Sequence, residues 1–192
     1  TVEDPVEMSI EGLNQVQVNS EIGRLNAVLL HRPGIEIERM TPQNAAKALY
    51  SDILNKSIVD KEYNRFATVL SKWTKTYFVV DLLEEILKND AVKASLVEQS
   101  CKLDGCEFLI DELLSHTPSQ LAQELIEGFA YRQGVDPDKY SEERYILRPL
   151  YNLFFTRDAS STVFNRVLIH NMSTDVRERE ILIYNAIFTN YF

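Results

Sequence analysis

The sequence predicts an α/β protein interrupted by an all-helical stretch, and three observations predict it. Two strand-like runs, RLNAVLLH at 24–31 and TYFVVD at 76–81, bracket a segment of helical periodicity. From Leu82 to Arg148 apolar residues recur at helical spacing with almost no strand signal. After Pro149 the strand signal returns.

Each element has its own reason. The 24–31 run is bounded by Gly23 and by Arg32-Pro33-Gly34, so it reads as a buried strand ending in a turn. Thr41-Pro42 is an N-cap followed by a first-turn proline, predicting a helix from Pro42 to about Leu54. Residues 60–74 set Tyr63, Phe66, Val69, Leu70 and Trp73 at helical spacing, and the β-branched, aromatic 76–81 run then reads as a second strand. Strand, two helices and strand make an α/β unit over 1–81. Helices are predicted near 82–88, 91–103, 106–114 and 118–129. The last opens on Thr117-Pro118-Ser119-Gln120, a capping box with proline at the first helical position. Gly128 and Gly134 lie near helix ends, and the polar loop GVDPDKYSEE closes a helical insertion over 82–148. The remainder, 149–192, holds a hairpin (STVF, a turn at Asn165-Arg166, VLIH) and a helix at 175–189 with Val176, Ile181, Ile183, Tyr184 and Ile187 apolar.

Composition excludes several classes. The chain has 192 residues, 45% hydrophobic and 26% charged, which suits one sizeable core or one domain with an insertion. A net charge of -9 argues against a nucleic-acid partner held by a basic surface and is compatible with a small cationic ligand. No apolar run approaches membrane-spanning length, and TVEDPVEMSI has neither the basic start nor the apolar run of a signal peptide. The first residue is not methionine, which predicts a processed or trimmed chain. Cys101 and Cys106 read as two reduced thiols of a cytoplasmic protein.

The polar candidates are few. Asp158 follows the apolar Leu153, Phe154 and Phe155 and precedes a small-residue stretch, which puts it at a strand end or loop. A carboxylate held there can accept two parallel N–H bonds from a guanidinium group; the simpler reading pairs it with Arg157 or uses it to cap a turn. Arg177 and Arg179, at i and i+2 on a helix, point in different directions, one toward a pocket and the other toward solvent, unless both lie on a solvated face. His31, His116 and His170 have no metal-ligand spacing and read as structural or exposed. Cys101 and Cys106 fall in the helical stretch, away from strand ends where α/β sites form.

A resemblance goes further. Val18–Pro33, VNSEIGRLNAVLLHRP, resembles the opening of arginine deiminases, whose catalytic domain begins with a similar SEIG-x-L-x-x-VLLHRPG stretch. Arg39-Met40-Thr41-Pro42 is similar to the family's leucine-threonine-proline, and LYSDIL at 49–54 to its LFDDI. RPLYNLFFTRD resembles the family's PLPN-x-x-FTRD, and VLIHNMSTDVREREIL its segment ending in RQRE-T-L. The motifs occur in the family's order over nearly the whole chain. Ser51, Tyr151, Arg166 and Ala159-Ser160-Ser161 depart from its pattern.

The resemblance implies part of a pseudo-fivefold α/β propeller of ββαβ-type units with an inserted helical domain. It implies an amidine hydrolase converting L-arginine to L-citrulline and ammonia through a covalent cysteine intermediate. Asp158 would bind the substrate guanidinium, Asn152 its amino-acid end, Phe155 its alkyl chain and Arg177 its carboxylate. No metal or organic cofactor is implied. The family's nucleophilic cysteine, acid–base histidine and further carboxylates have no counterpart here, so this chain alone is expected to be inactive. Unpartnered sheet edges predict self-association or pairing with a C-terminal part. A non-catalytic arginine-binding homologue and a related amidinotransferase are the alternatives.

Overall fold

A computed structural model describes residues 16–38, 40, 45, 48–130 and 145–192. It is mixed α/β, with three two-stranded sheets among the described residues. The predicted helix from Pro42 falls largely outside those residues, as do Gly134 and the polar loop after it.

The first sheet comes from the two predicted strands. β1 (Ala27–Leu30) pairs parallel with β2 (Lys75–Phe78), Ala27 opposite Lys75 and Leu30 opposite Phe78. A parallel pair needs a crossover. It contains α1 (Ile35–Glu38) and α2 (Lys56–Ser71). Asn55 starts α2 because its side-chain oxygen accepts from the Ser57 and Ile58 amides at 3.1 and 3.3 Å. The apolar stripe predicted over 60–74 is only partly covered by the described residues: Tyr63 and Leu70 are partly buried, whereas Phe66 is 50%, Val69 56% and Trp73, just past the helix end, 80% exposed. Periodicity fixes which face is apolar; it does not supply the surface that covers it.

The predicted second strand ends early. Val79 and Val80 begin α3 (Val79–Ile86) instead. Val79, Leu82, Leu83 and Ile86 are buried at i, i+3, i+4 and i+7, so the helical period prevails over β-branching. The predicted helical series follows: α4 (Asp90–Asp104), a 3₁₀ turn at Glu107–Leu109, α5 (Ile110–Ser115) and α6 (Pro118–Glu127). Thr117 forms the expected capping box with Gln120. Thr117→Ala is expected to cost about 1 kcal/mol in urea unfolding, with the midpoint lowered and the slope unchanged.

Sequence reading missed the next pair. β3 (Phe129–Ala130) runs antiparallel to β4 (Tyr145–Leu147). Gly128 permits the turn into it. Its φ is 80°, and a Cβ there would sit 2.7 Å from the Leu147 carbonyl oxygen and the Pro149 nitrogen. α7 (Thr156–Ala159) precedes the hairpin of β5 (Ser160–Val163) and β6 (Arg166–Ile169). Val163 pairs with Arg166, so the two loop residues are Phe164 and Asn165, one position earlier than predicted. Phe164 carries the positive φ, 53°, that the first position of a primed hairpin turn demands. Its backbone also bridges to Val18, N–H to O at 2.8 Å in both directions.

α8 (Glu178–Asn190) follows a 3₁₀ turn at Asp175–Arg177. Ile183, Tyr184 and Ile187 of α8 share one continuous core with Leu83, Val97, Leu113, Leu121, Leu125 and Leu153. Among the described residues no helix is long and apolar enough to cross a membrane.

Candidate functional site

The start of α8 presents the charged centre of the site. Arg177 closes the 3₁₀ turn and occupies the N-cap position of α8, and Glu180 lies three residues on, on the same side of the helix. Glu180 is fully buried and grips Arg177: Nε donates to both carboxylate oxygens at 3.1 Å, and Nη2 to Oε2 at 2.8 Å. The remaining donor of the guanidinium meets the half-exposed Asp158. This Nη1 donates to Asp158 Oδ2 at 2.7 Å. Nη2 also reaches the Asn152 carbonyl oxygen at 3.4 Å.

Asn152 is buried in the turn between β4 and α7, where its Nδ2 donates to the Ala48 carbonyl at 3.0 Å. Tyr50 holds the same segment, its hydroxyl donating to the Tyr151 carbonyl at 2.9 Å. From the core side the Tyr184 hydroxyl donates to the Leu153 carbonyl at 3.1 Å. Asp158 stands on α7, its side chain 48% exposed. Phe155, at the N-cap of α7, is 44% exposed and lies against Phe154 with ring centroids 4.1 Å apart. Arg177, Glu180 and Asn152 thus form a buried floor, and Asp158 and Phe155 an accessible rim.

The electrostatics follow from burial. Desolvation raises the Glu180 carboxyl above its usual range, and Arg177 opposes that. Burial by itself would lower Arg177, but the Glu180 and Asp158 carboxylates more than offset it and its guanidinium is held more firmly protonated. Burial, and next the Glu180 charge, push the hydroxyls of Tyr50 and Tyr184 upward, so both stay neutral donors. A carboxylate raised in the folded state contributes stability below its unfolded value, and that contribution is lost as pH rises through the folded one. Wild type measured against Glu180→Gln should therefore lose relative stability as pH rises from the ordinary carboxylate range, about pH 4, through the raised folded value. Thermal melts of both proteins across that range check the sign, and a flat difference would contradict it.

Two simple sequence expectations are replaced. Arg157 does not hold Asp158; it reaches Glu21 at 3.1 Å on the surface. Arg179 does not meet solvent. It is 3% exposed, and its Nε pairs with buried Asp104 Oδ2 at 3.0 Å while Nη1 donates to the Leu125 carbonyl at 3.0 Å. A third donor goes to the Arg148 carbonyl. The start of α8 thus sends Arg177 to the site and Arg179 to the helical stretch. His31 is buried against Glu36, Nε2 to Oε1 at 3.1 Å; His116 meets Glu124 and His170 the Asp158 carbonyl. Cys101 and Cys106 are free and wholly buried. Among the described residues no three His, Cys, Asp or Glu side chains gather as a metal site.

Glu180 is the site residue that sequence reading missed. Its i+3 spacing from Arg177 was the available signal, and only burial turns that spacing into a clamp.

A family model for arginine deiminase matches residues 47–192, which include Asn152, Phe155, Asp158, Arg177 and Glu180. The chain belongs to the arginine deiminase family. Among curated relatives, the arginine deiminase of Borreliella burgdorferi strain ZS7 is 31% identical over 94% of this chain and 48% of its own length. That of Borrelia garinii subsp. bavariensis is 32% identical over 92% of this chain and 46% of its own. That of Limosilactobacillus fermentum is 30% identical over 92% and 47%. The chain therefore spans about half the length of the arginine deiminases it matches.

Proposed function

We propose that this chain carries the arginine-recognising part of an arginine deiminase, which hydrolyses L-arginine to L-citrulline and ammonia. The observation that carries the proposal is the meeting of Asp158, Arg177 and Asn152 at one partly open place, within the segment the family model matches. In this reading Asp158 accepts two N–H bonds from the substrate guanidinium and fixes its plane for attack on the central carbon. Arg177, braced by Glu180, receives the substrate carboxylate through Nη1. Asn152 contributes to the amino-acid end, and Phe155 lies along the alkyl chain.

The covalent steps need a thiolate. It attacks the guanidinium carbon, ammonia leaves with a proton supplied by a histidine, and water displaces the thiol to give citrulline. Cys101 and Cys106, buried in the core cluster, are unsuited to that task. The nucleophile and the acid–base histidine are assigned to residues beyond these 192, in the same five-part α/β propeller to which β1, β2, β5 and β6 would belong.

The test is L-arginine turnover by the full encoded polypeptide, with citrulline and ammonia both quantified. Equal amounts of the two support the reading. Arginine binding without citrulline would replace it with an arginine-binding homologue, and neither would overturn it.

A further inference from the structure

Arg177 holds two carboxylates that are not equivalent. Glu180 is fully buried and uses Nε and Nη2; withdrawing it would strand a charge in the core. Asp158 uses Nη1 at 2.7 Å, and its side chain is about half exposed, at 48%. Water can receive Asp158, so that contact is the replaceable one.

Nη1 is the donor bonded to the half-exposed rim, and so the one an incoming carboxylate would meet. A carboxylate arriving there would take the bond that Asp158 now accepts. Asp158 would then be a free anion on the rim beside Phe155, placed to receive a cationic planar group. A ligand with a carboxylate and a guanidinium repairs both halves of the broken pair. A ligand with only one of them breaks the pair and leaves either Asp158 or Arg177 Nη1 without a partner.

We propose that the Asp158–Arg177 ion pair is an exchange contact: it joins the two anchor groups of the site directly and selects ligands that carry a carboxylate and a guanidinium together. The proposal rests on the reading of L-arginine as the ligand. It adds the source of discrimination against one-ended analogues, an internal carboxylate that competes with theirs.

The test uses the full encoded polypeptide and three probes: L-arginine, agmatine (guanidinium without carboxylate) and L-norvaline (carboxylate without guanidinium). Dissociation constants are measured by calorimetry or NMR titration for wild type, Asp158→Asn and Asp158→Ala. Removing the internal competitor frees Nη1, so both variants should bind L-norvaline about fivefold more tightly than wild type does. The same variants should bind L-arginine more weakly, and wild type should prefer L-arginine to agmatine. L-Norvaline affinity that stays level or falls in both variants, or L-norvaline binding absent from all three proteins, would overturn the exchange. Citrulline formation without the L-norvaline gain would overturn the exchange alone. The L-norvaline gain without citrulline would uphold the exchange and sink the deiminase reading.

Discussion

Asp158→Ala in the full encoded polypeptide is expected to lower citrulline formation by about a hundredfold to a thousandfold with little loss of stability. Removing one preorganised polar partner of a reacting group typically costs that much in rate, and in the proposed reading Asp158 also sets the plane of the guanidinium. Stability should hold because the Asp158 side chain is half exposed and Arg177 keeps its Glu180 clamp. With its carboxylate half exposed to water, the pair is worth about 1 kcal/mol. Paired measurements of kcat/KM and unfolding midpoint separate the two effects. Activity within a few-fold of wild type would remove Asp158 from the chemistry. A large drop in midpoint would make its role structural.

Asp104→Ala should do the reverse and destabilise the protein by about 3–5 kcal/mol. The Asp104 side chain is 1% exposed and ties two arginines together. It accepts from the Arg148 amide at 2.9 Å and from Arg148 Nε and Nη2 at 3.0 and 2.7 Å, and its Oδ2 forms an ion pair with Arg179 Nε at 3.0 Å. Burial pulls the Arg179 guanidinium below its usual value, and Asp104 is the leading opposing influence. Without that carboxylate, Arg179 keeps carbonyl acceptors but no counter-charge in the core. Because Arg179 sits two residues from Arg177, the start of α8 should loosen as well. Chemical denaturation of wild type, Asp104→Ala and Asp104→Asn resolves the charge from the shape. A loss below about 1 kcal/mol for the alanine variant would show that the buried charge is neutralised in another way.

Local chemistry made much of the fold legible in the sequence. The Thr117 capping box, the apolar run before Arg32-Pro33-Gly34 and the periodicity of 91–103 each give a signal within a few residues, and each element is present. The errors lie where two local signals compete or where the signal is too short. Val79 and Val80 read as strand by residue type, yet the spacing to Leu83 and Ile86 makes them helix. β3 and β4 have two and three residues, below what alternation can reveal. The hairpin turn shifted because no glycine marks it; Phe164 takes the positive φ instead.

The site was less legible from physics alone. Asp158 and Arg177 are 19 residues apart, and composition gave no reason to join them. The adjacent Arg157 was the simpler partner, yet it turns to Glu21. The family resemblance singled out Asn152, Asp158 and Arg177. Their mutual contact and the Glu180 clamp come from burial at the start of α8, which neighbouring residues do not encode. Arg179 shows the same limit. Helical spacing gives its direction relative to Arg177, but only the packing of α4 against α8 puts Asp104 in its way.

The most direct test is a crystal structure of the full encoded polypeptide with L-arginine bound and its nucleophilic thiol removed by substitution. The expected result is the ligand guanidinium on Asp158, the ligand carboxylate on Arg177 Nη1, Glu180 still clamping Arg177, and the 2.7 Å Asp158–Arg177 contact open. Arginine bound elsewhere with that contact intact would contradict it.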